Sequence, residues 1–180
     1  GKKTVLIDAD FCRARLTRHF SEVGVKSQSV LEGYLAGKTD EEGLVIATQH
    51  PLMDFIGAGA EKASAPHAFR SPRMIELIAK LKASYDVVLF DAPPVLPVND
   101  AVALSPLVNL RLLVINAGKT LQRNIHHALT KMDPSRQTLI GIVLNQVSHA
   151  SSPPAVRSCA SRPGLPVSCN SDRRQVLLAI

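Results

Sequence analysis

Tryptophan is absent from these 180 residues, and aromatic side chains make up only 4% of them. A core built from this chain is therefore aliphatic, drawn from the Val, Leu, Ile and Ala that dominate its 46% hydrophobic fraction. That composition suits parallel strands buried on both faces. Long apolar runs are missing too. Nothing approaches the roughly 20 residues a membrane-spanning helix needs, and the first residues run into a strand pattern rather than a leader. Cysteine is scarce: Cys12, Cys159 and Cys169 are odd in number and lack the close pairing of a zinc site. Free thiols in a reducing compartment are the plain reading. Nor is there a strong charge excess where it counts. The net charge is +6, but residues 149–180 hold Arg157, Arg162, Arg173 and Arg174 against Asp172, which leaves about +3 on the remainder. That is a solvated surface, not a nucleic-acid patch.

What is present is an alternation of strand and helix signals. Val5-Leu6-Ile7 is an apolar run that stops at two acids, Asp8 and Asp10. Residues 27–37 place Val30, Leu31, Tyr34 and Leu35 at helical spacing before Gly37, and 43–48 (GLVIAT) reads as a second strand. A loop follows from Pro51 to Pro66, with a short strand piece near Met53–Ile56. Ser71-Pro72 is a preferred helix start, and Met74, Ile75, Leu77, Ile78 and Leu81 form one apolar face behind it. Strands at 85–94, 110–118 and 138–146 alternate with helices at 99–105 and 121–131. This order predicts an α/β fold with a doubly wound parallel sheet. Residues 1–148 form the domain. Residues 149–180 are rich in Ser, Pro and Arg, lack periodicity until the final QVLLAI, and read as a disordered tail.

Ligands of parallel α/β sheets bind at the carboxyl ends of strands. Acids stand at two such ends, Asp8 and Asp10 after Val5-Leu6-Ile7, and Asp91 after VVLF. One acid closing a strand is commonly a cap or a surface ion pair. Two equivalent strand ends, the second followed by Pro93-Pro94, point to a metal–nucleotide site, where carboxylates share a divalent cation with phosphate oxygens. Adjacent His126 and His127 point about 100° apart on a helix and do not share an ion. Lys119 and Arg123 read as helix N-terminal surface, and Ser71 and Ser105 as helix punctuation.

VLIDADFCRARL resembles the displaced second Walker motif of bacterial tyrosine kinases, VVLFDAPPVLPVNDA their Walker B segment, and GIVLNQV the strand beyond it. These kinases are cytoplasmic domains, or free partners, of the polysaccharide co-polymerases that set capsule and exopolysaccharide chain length. The resemblance runs from Lys3 to about Val147 and implies a P-loop-type fold using ATP and Mg2+. It implies Asp8 and Asp91 as metal ligands, largely through water. Asp10 would orient the attacking tyrosine hydroxyl or take its proton. Arg13 would meet phosphate or an acidic neighbour, and Asn145 would contact adenine; a surface ion pair and a turn residue are the competing readings of those two. Implied partners are a membrane co-polymerase subunit or a membrane segment of the same protein, with homo-oligomers of the full-length protein and no nucleic acid. The implied location is the cytoplasmic face of the plasma membrane.

The family's phosphate loop, G-x-x-x-x-G-K-S/T, has no counterpart here. Gly1-Lys2-Lys3-Thr4 leads straight into a strand, whereas a phosphate loop opens a helix. Gly118-Lys119-Thr120 lacks the preceding glycine. The expectation is a fragment whose sheet has lost a central strand, with weak ATP affinity and negligible transfer. Cys12 and Ala14 stand where arginine and proline are usual, and the only tyrosines, Tyr34 and Tyr85, read as structural. Two further readings stand beside the kinase: a non-catalytic docking module of a co-polymerase, and a partitioning-type ATPase.

Overall fold

The computed structural model describes residues 1–25, 29–59, 65–132, 140–147 and 175–179. The strands are β1 (Thr4–Asp8), β2 (Ile46–Ala47), β3 (Met53–Ile56), β4 (Val87–Asp91), β5 (Leu110–Asn116), β6 (Ile140–Asn145) and β7 (Gln175–Ala179). The helices are α1 (Arg15–Glu22), α2 (Leu31–Leu35), α3 (Ala65–Phe69), α4 (Pro72–Ser84), α5 (Asp100–Leu104) and α6 (Gln122–Met132), with a 3-10 turn at Ser105–Leu107. The strands form one sheet in the order β2-β3-β1-β4-β7-β5-β6. All neighbours are parallel except β2, which runs antiparallel to β3.

Register fixes what each face carries, since in-register residues of parallel strands share a face. Val5, Ile7, Ile56, Val88 and Phe90 lie on one face, all buried. They form a single core with Leu31 and Leu35 of α2, Phe69 of α3, Met74, Leu77 and Leu81 of α4, and Leu104 of α5. Leu113 and Ile115 of β5 continue that face and pack on Ala128 and Met132 of α6. The opposite face carries Leu6, Phe55 and Leu89. There α1 covers β3, with Phe20 stacked on Phe55 at 4.2 Å between ring centroids. The sheet is wound on both faces, but unequally: Leu6, Leu89 and Leu112 are only half-buried and Val114 is exposed.

The start of α4 is where the sequence places it. Ser71 is extended, and its Oγ accepts the Met74 amide at 3.3 Å, with Pro72 opening the helix. Ile75 departs from its expected place on the buried face and is 55% exposed. The stretch GLVIAT yields only the two residues of β2, because Gly43 takes a positive φ and sends Leu44 into the core instead of the sheet. Gly37 also takes a positive φ, closing α2 just beyond Ala36.

The centre of the sheet departs most from expectation. Its middle position is occupied: Gln175–Ala179, read from sequence as the end of a disordered tail, is β7 and pairs in parallel with β4 on one side and β5 on the other. A five-residue strand whose last four residues are apolar gains a hydrogen-bonded ladder on each edge there. The rest of that tail, 149–174 and Ile180, lies outside the described residues.

Candidate functional site

β1 and β4 are adjacent and in register, so Asp8 and Asp91 are direct partners at the carboxyl end of the sheet. The Ala9 amide donates to the Asp91 carbonyl at 2.8 Å, carrying the pairing one residue past β1. This places the turn Asp10–Ala14 beside Asp91.

Asp8 is fully buried and heavily engaged. Its Oδ2 accepts the Thr17 amide at 2.9 Å and the Thr17 hydroxyl at 2.7 Å, and its Oδ1 accepts the Asp10 amide at 3.1 Å. Thr17 Oγ1 in turn accepts the Ala58 amide at 2.8 Å, tying the end of β1 to α1 and to the exit of β3. Burial raises the Asp8 pKa; the Thr17 and Asp10 hydrogen bonds pull against it, and the Asp10 charge adds to the rise. Counting lone pairs, Oδ2 is filled and Oδ1 retains one acceptor position.

Asp10 is half-buried. Its Oδ1 accepts the Arg13 amide at 3.1 Å, and its carbonyl accepts the Ala14 amide at 2.7 Å, closing a tight turn. Ala14 sits in the left-handed region at φ 44°, a conformation proline cannot adopt. The turn therefore has its own shape where the kinases resembled usually carry proline. The Arg13 side chain is exposed, and its carbonyl accepts from Arg18 at 2.9 Å.

Asp91 is half-buried, and its pKa is raised to about 6 by burial first and then by the charges of Asp8 and Asp10. No cation figures among those influences. Sequence reasoning missed a fourth acid, Asp100, which opens α5. It is buried, and its pKa is raised by burial and by Asp10. Its signal was the Asp at a helix start, nine residues after Asp91 and within the same Walker-B-like segment. Thr17 carried no signal at all.

Asn145 is not brought to this cluster. It ends β6, three strand positions from β4, or about 14 Å across the sheet. Its exposed side chain accepts the Gln146 amide at 2.8 Å. Tyr34 and Tyr85 are both buried, and the Tyr85 hydroxyl donates to Asp54 at 2.6 Å at the opposite end of the sheet. His126, His127, Lys119 and Arg123 are exposed on or before α6. An apolar cavity of about 330 Å³ opens between the post-β4 loop, β5 and α6, lined in part by Pro94, Leu96, Ile115 and Ile125. Above it, Lys131 Nζ donates to the carbonyls of Val95 at 2.7 Å, Leu96 at 3.1 Å and Val98 at 3.1 Å, fixing that loop.

Among the described residues, no group of three or more His, Cys, Asp or Glu is placed to hold a metal ion by itself. The donor set instead fits magnesium, which keeps several waters and takes only one or two carboxylates. Asp91 is free to accept, and Asp8 has room for one water.

The parallel sheet, with acids at two adjacent strand ends, is the α/β fold of P-loop-type kinase and ATPase domains of known structure. No family model matches the chain. Its curated homologues are bacterial tyrosine-protein kinases. The tyrosine-kinase-like EpsB of Ralstonia solanacearum and a tyrosine-kinase-like protein of a Klebsiella pneumoniae cps region are 32% and 28% identical over 145 and 147 residues. These matches cover 81% and 82% of this chain but only 19% and 20% of those proteins. The tyrosine-protein kinase YwqD of Bacillus subtilis is 33% identical over 146 residues, which is 60% of its length. The VpsO kinase domain superposes with a TM-score of 0.72 at 27% identity, covering 82% of this chain and 71% of that one. MinD of Pyrococcus horikoshii, solved with Mg-ADP, shares the fold at a TM-score of 0.62 and 23% identity, covering 86% of this chain and 63% of its own. The chain thus spans about a fifth of the first of these relatives and three fifths of YwqD. No described helix is long and apolar enough to cross a membrane.

Proposed function

We propose that this chain supplies the metal side of a Mg2+–ATP site for protein-tyrosine phosphoryl transfer in a surface-polysaccharide system. The observation that carries the reading is the in-register pair Asp8 and Asp91, with Asp10 in the turn between them. Homology to tyrosine-protein kinases gives it direction.

Magnesium, when bound, neutralises charge on the β- and γ-phosphates, where this reaction class gains most of its acceleration. The protein's own part is positioning. Asp91 offers an unengaged carboxylate to the ion's shell. Asp8, tied to Thr17 by two hydrogen bonds, would contribute its one remaining acceptor position to holding the ion through water. Asp10, half-buried with one oxygen engaged in the turn, would orient a tyrosine hydroxyl or accept its proton. Arg13, exposed on the same turn, is the cation nearest in sequence for phosphate. Asn145 as an adenine contact calls for a nucleotide lying across the ends of β7 and β5. The buried Tyr34 and Tyr85 are not substrates, so the accepting tyrosine lies elsewhere.

The membrane co-polymerase, the oligomer of the full-length protein and the inner membrane face belong to this same reading. A docking role without turnover has one observation in its favour: residues 1–180 contain no G-x-x-x-x-G-K-S/T. The test is a fusion that places a strand, such a loop and a helix ahead of Gly1. Tyrosine phosphorylation from ATP is then measured with phosphotyrosine antibody. The kinase reading expects Mg2+-dependent transfer, lowered roughly 10²- to 10⁴-fold by Asp10→Asn with ATP binding retained. ATP binding without any transfer leaves the docking reading.

A further inference from the structure

α1 carries a one-sided cationic face beside the acids. At about 3.6 residues per turn, the part-buried Leu16, Thr17 and Phe20 share its inward side. Arg15, Arg18, His19 and Glu22, all exposed, share the outward side. Arg13 stands exposed in the turn just ahead. We propose that Arg15 and Arg18 form a recognition surface for an acidic peptide, selecting an accepting tyrosine flanked by Asp or Glu. The proposal rests on the phosphoryl-transfer reading for the tyrosine; the preference for acidic peptide stands on the arginines alone.

Three observations converge on it. The first is that the charges are uncompensated. Among the described residues no carboxylate forms an ion pair with Arg13, Arg15 or Arg18, whereas Lys80 is paired with both Glu41 and Glu76. The Arg18 guanidinium donates to the Arg13 carbonyl at 2.9 Å, which holds its charge near the turn without neutralising it. The second is that their placement works against the helix that carries them. The first turn of α1 has no acid and no side-chain cap, and arginine there opposes the helix dipole. A like charge three residues on adds to the cost. Local stability does not account for this pair; an anion arriving from outside does. The third is location. Thr17, on the inward side of the same helix, donates to the Asp8 carboxylate through its amide at 2.9 Å and its hydroxyl at 2.7 Å. The Arg13 amide donates to Asp10 Oδ1 at 3.1 Å. The arginines are thus held beside the carboxylate proposed to receive the tyrosine hydroxyl.

The spacing suits a peptide. Arg15 and Arg18 are separated by about 4.5 Å along the helix, between one and two residues of extended chain at about 3.3 Å each. Acids within a few residues of the tyrosine therefore reach them, and a peptide basic at those places is repelled. Glu22, at the far end of the outward side, makes that side basic toward the site and acidic away from it. An anionic membrane surface is the other source of negative charge, and it fits less well. A helix lying on a membrane turns its apolar side to the lipid, but here Phe20 is stacked on Phe55 at 4.2 Å between ring centroids.

The experiment uses the whole 180-residue chain and fluorescent heptapeptides with a central tyrosine among glutamates, glutamines or lysines. Anisotropy at about 50 mM and about 500 mM salt reads binding. The expected result is that the glutamate peptide binds roughly ten-fold tighter than the glutamine peptide at low salt, with the gap narrowing at high salt. Arg15→Ala combined with Arg18→Ala closes the gap. Arg15→Glu combined with Arg18→Glu reverses it, so that the lysine peptide binds best, a swap that loss of folding cannot produce. Equal binding of the glutamate and glutamine peptides overturns the proposal, and so does a preference unchanged by the charge reversal. Arginine-dependent binding to phosphatidylserine vesicles without any peptide preference also overturns it and assigns the face to a membrane. The phosphate-loop fusion separates this proposal from the kinase reading. Acidic preference without phosphotyrosine formation upholds the surface and sinks that reading. Phosphotyrosine formed equally on all three peptides does the reverse.

Discussion

At the scale of single residues, the site is a contest between burial and charge. Asp91 has its pKa raised from 3.8 to about 6, so the folded state holds its proton more tightly than the unfolded chain. Its contribution is fully favourable below the unfolded value and is lost as pH rises through the folded one. Asp91→Asn is expected to stabilise the chain by about 1 kcal/mol at pH 7.5, after allowance for partial exposure, and to do nothing at pH 3.5; thermal melts at the two pH values check this. Thr17 predicts the opposite. Thr17→Val strips the hydroxyl from the buried Asp8 carboxylate and from the Ala58 amide, at a cost of about 2–3 kcal/mol in urea unfolding, and Thr17→Ser recovers most of it. Ala14→Gly is expected to stabilise by about 1 kcal/mol by relieving the left-handed alanine.

At the scale of elements, legibility followed locality. β1, β4, β5, α4 and α6 announce themselves through apolar runs or periodicity, and the strand-ending acids could be read directly because each is contiguous with its strand. α1 has no clear pattern in the sequence because RLTRHFSE has only Leu16 and Phe20 as apolar positions, of which Phe20 stacks on Phe55 of the sheet. Thr17 was illegible since its role depends on α1 folding back over β1, nine residues on. The place of β7 could not be read at all: the pairing of QVLLA with strands more than 60 residues earlier is a property of strand order, which local pattern does not encode. The C-terminal turn of α6 supplies this scale's prediction. Lys131→Met leaves three loop carbonyls without their donor and is expected to cost about 1–3 kcal/mol. Faster amide exchange confined to residues 95–99 is the measurement that checks it.

At the scale of the whole molecule, the fold gathers the residues of the proposed site at one end of the sheet. One sheet face is closed by α2 to α6; the acids gather at one end; the middle slot is held by a strand from far along the chain. Among the described residues β6 is the edge strand of the sheet, and Ile142, Val143 and Leu144 on it are all exposed. Such an edge invites pairing with another chain. Val143→Lys is expected to reduce self-association in light scattering with stability changed by less than about 0.5 kcal/mol.

The central claim is that Asp8 and Asp91 form one magnesium site. Carboxyl-carbon NMR of Asp91, titrated with pH in the presence and absence of millimolar Mg2+, tests it most directly. The account predicts a midpoint near 6 without the ion. Adding the ion should lower that midpoint toward the ordinary aspartate range, because a bound cation favours the carboxylate. An Asp91 midpoint unmoved by Mg2+ would contradict it.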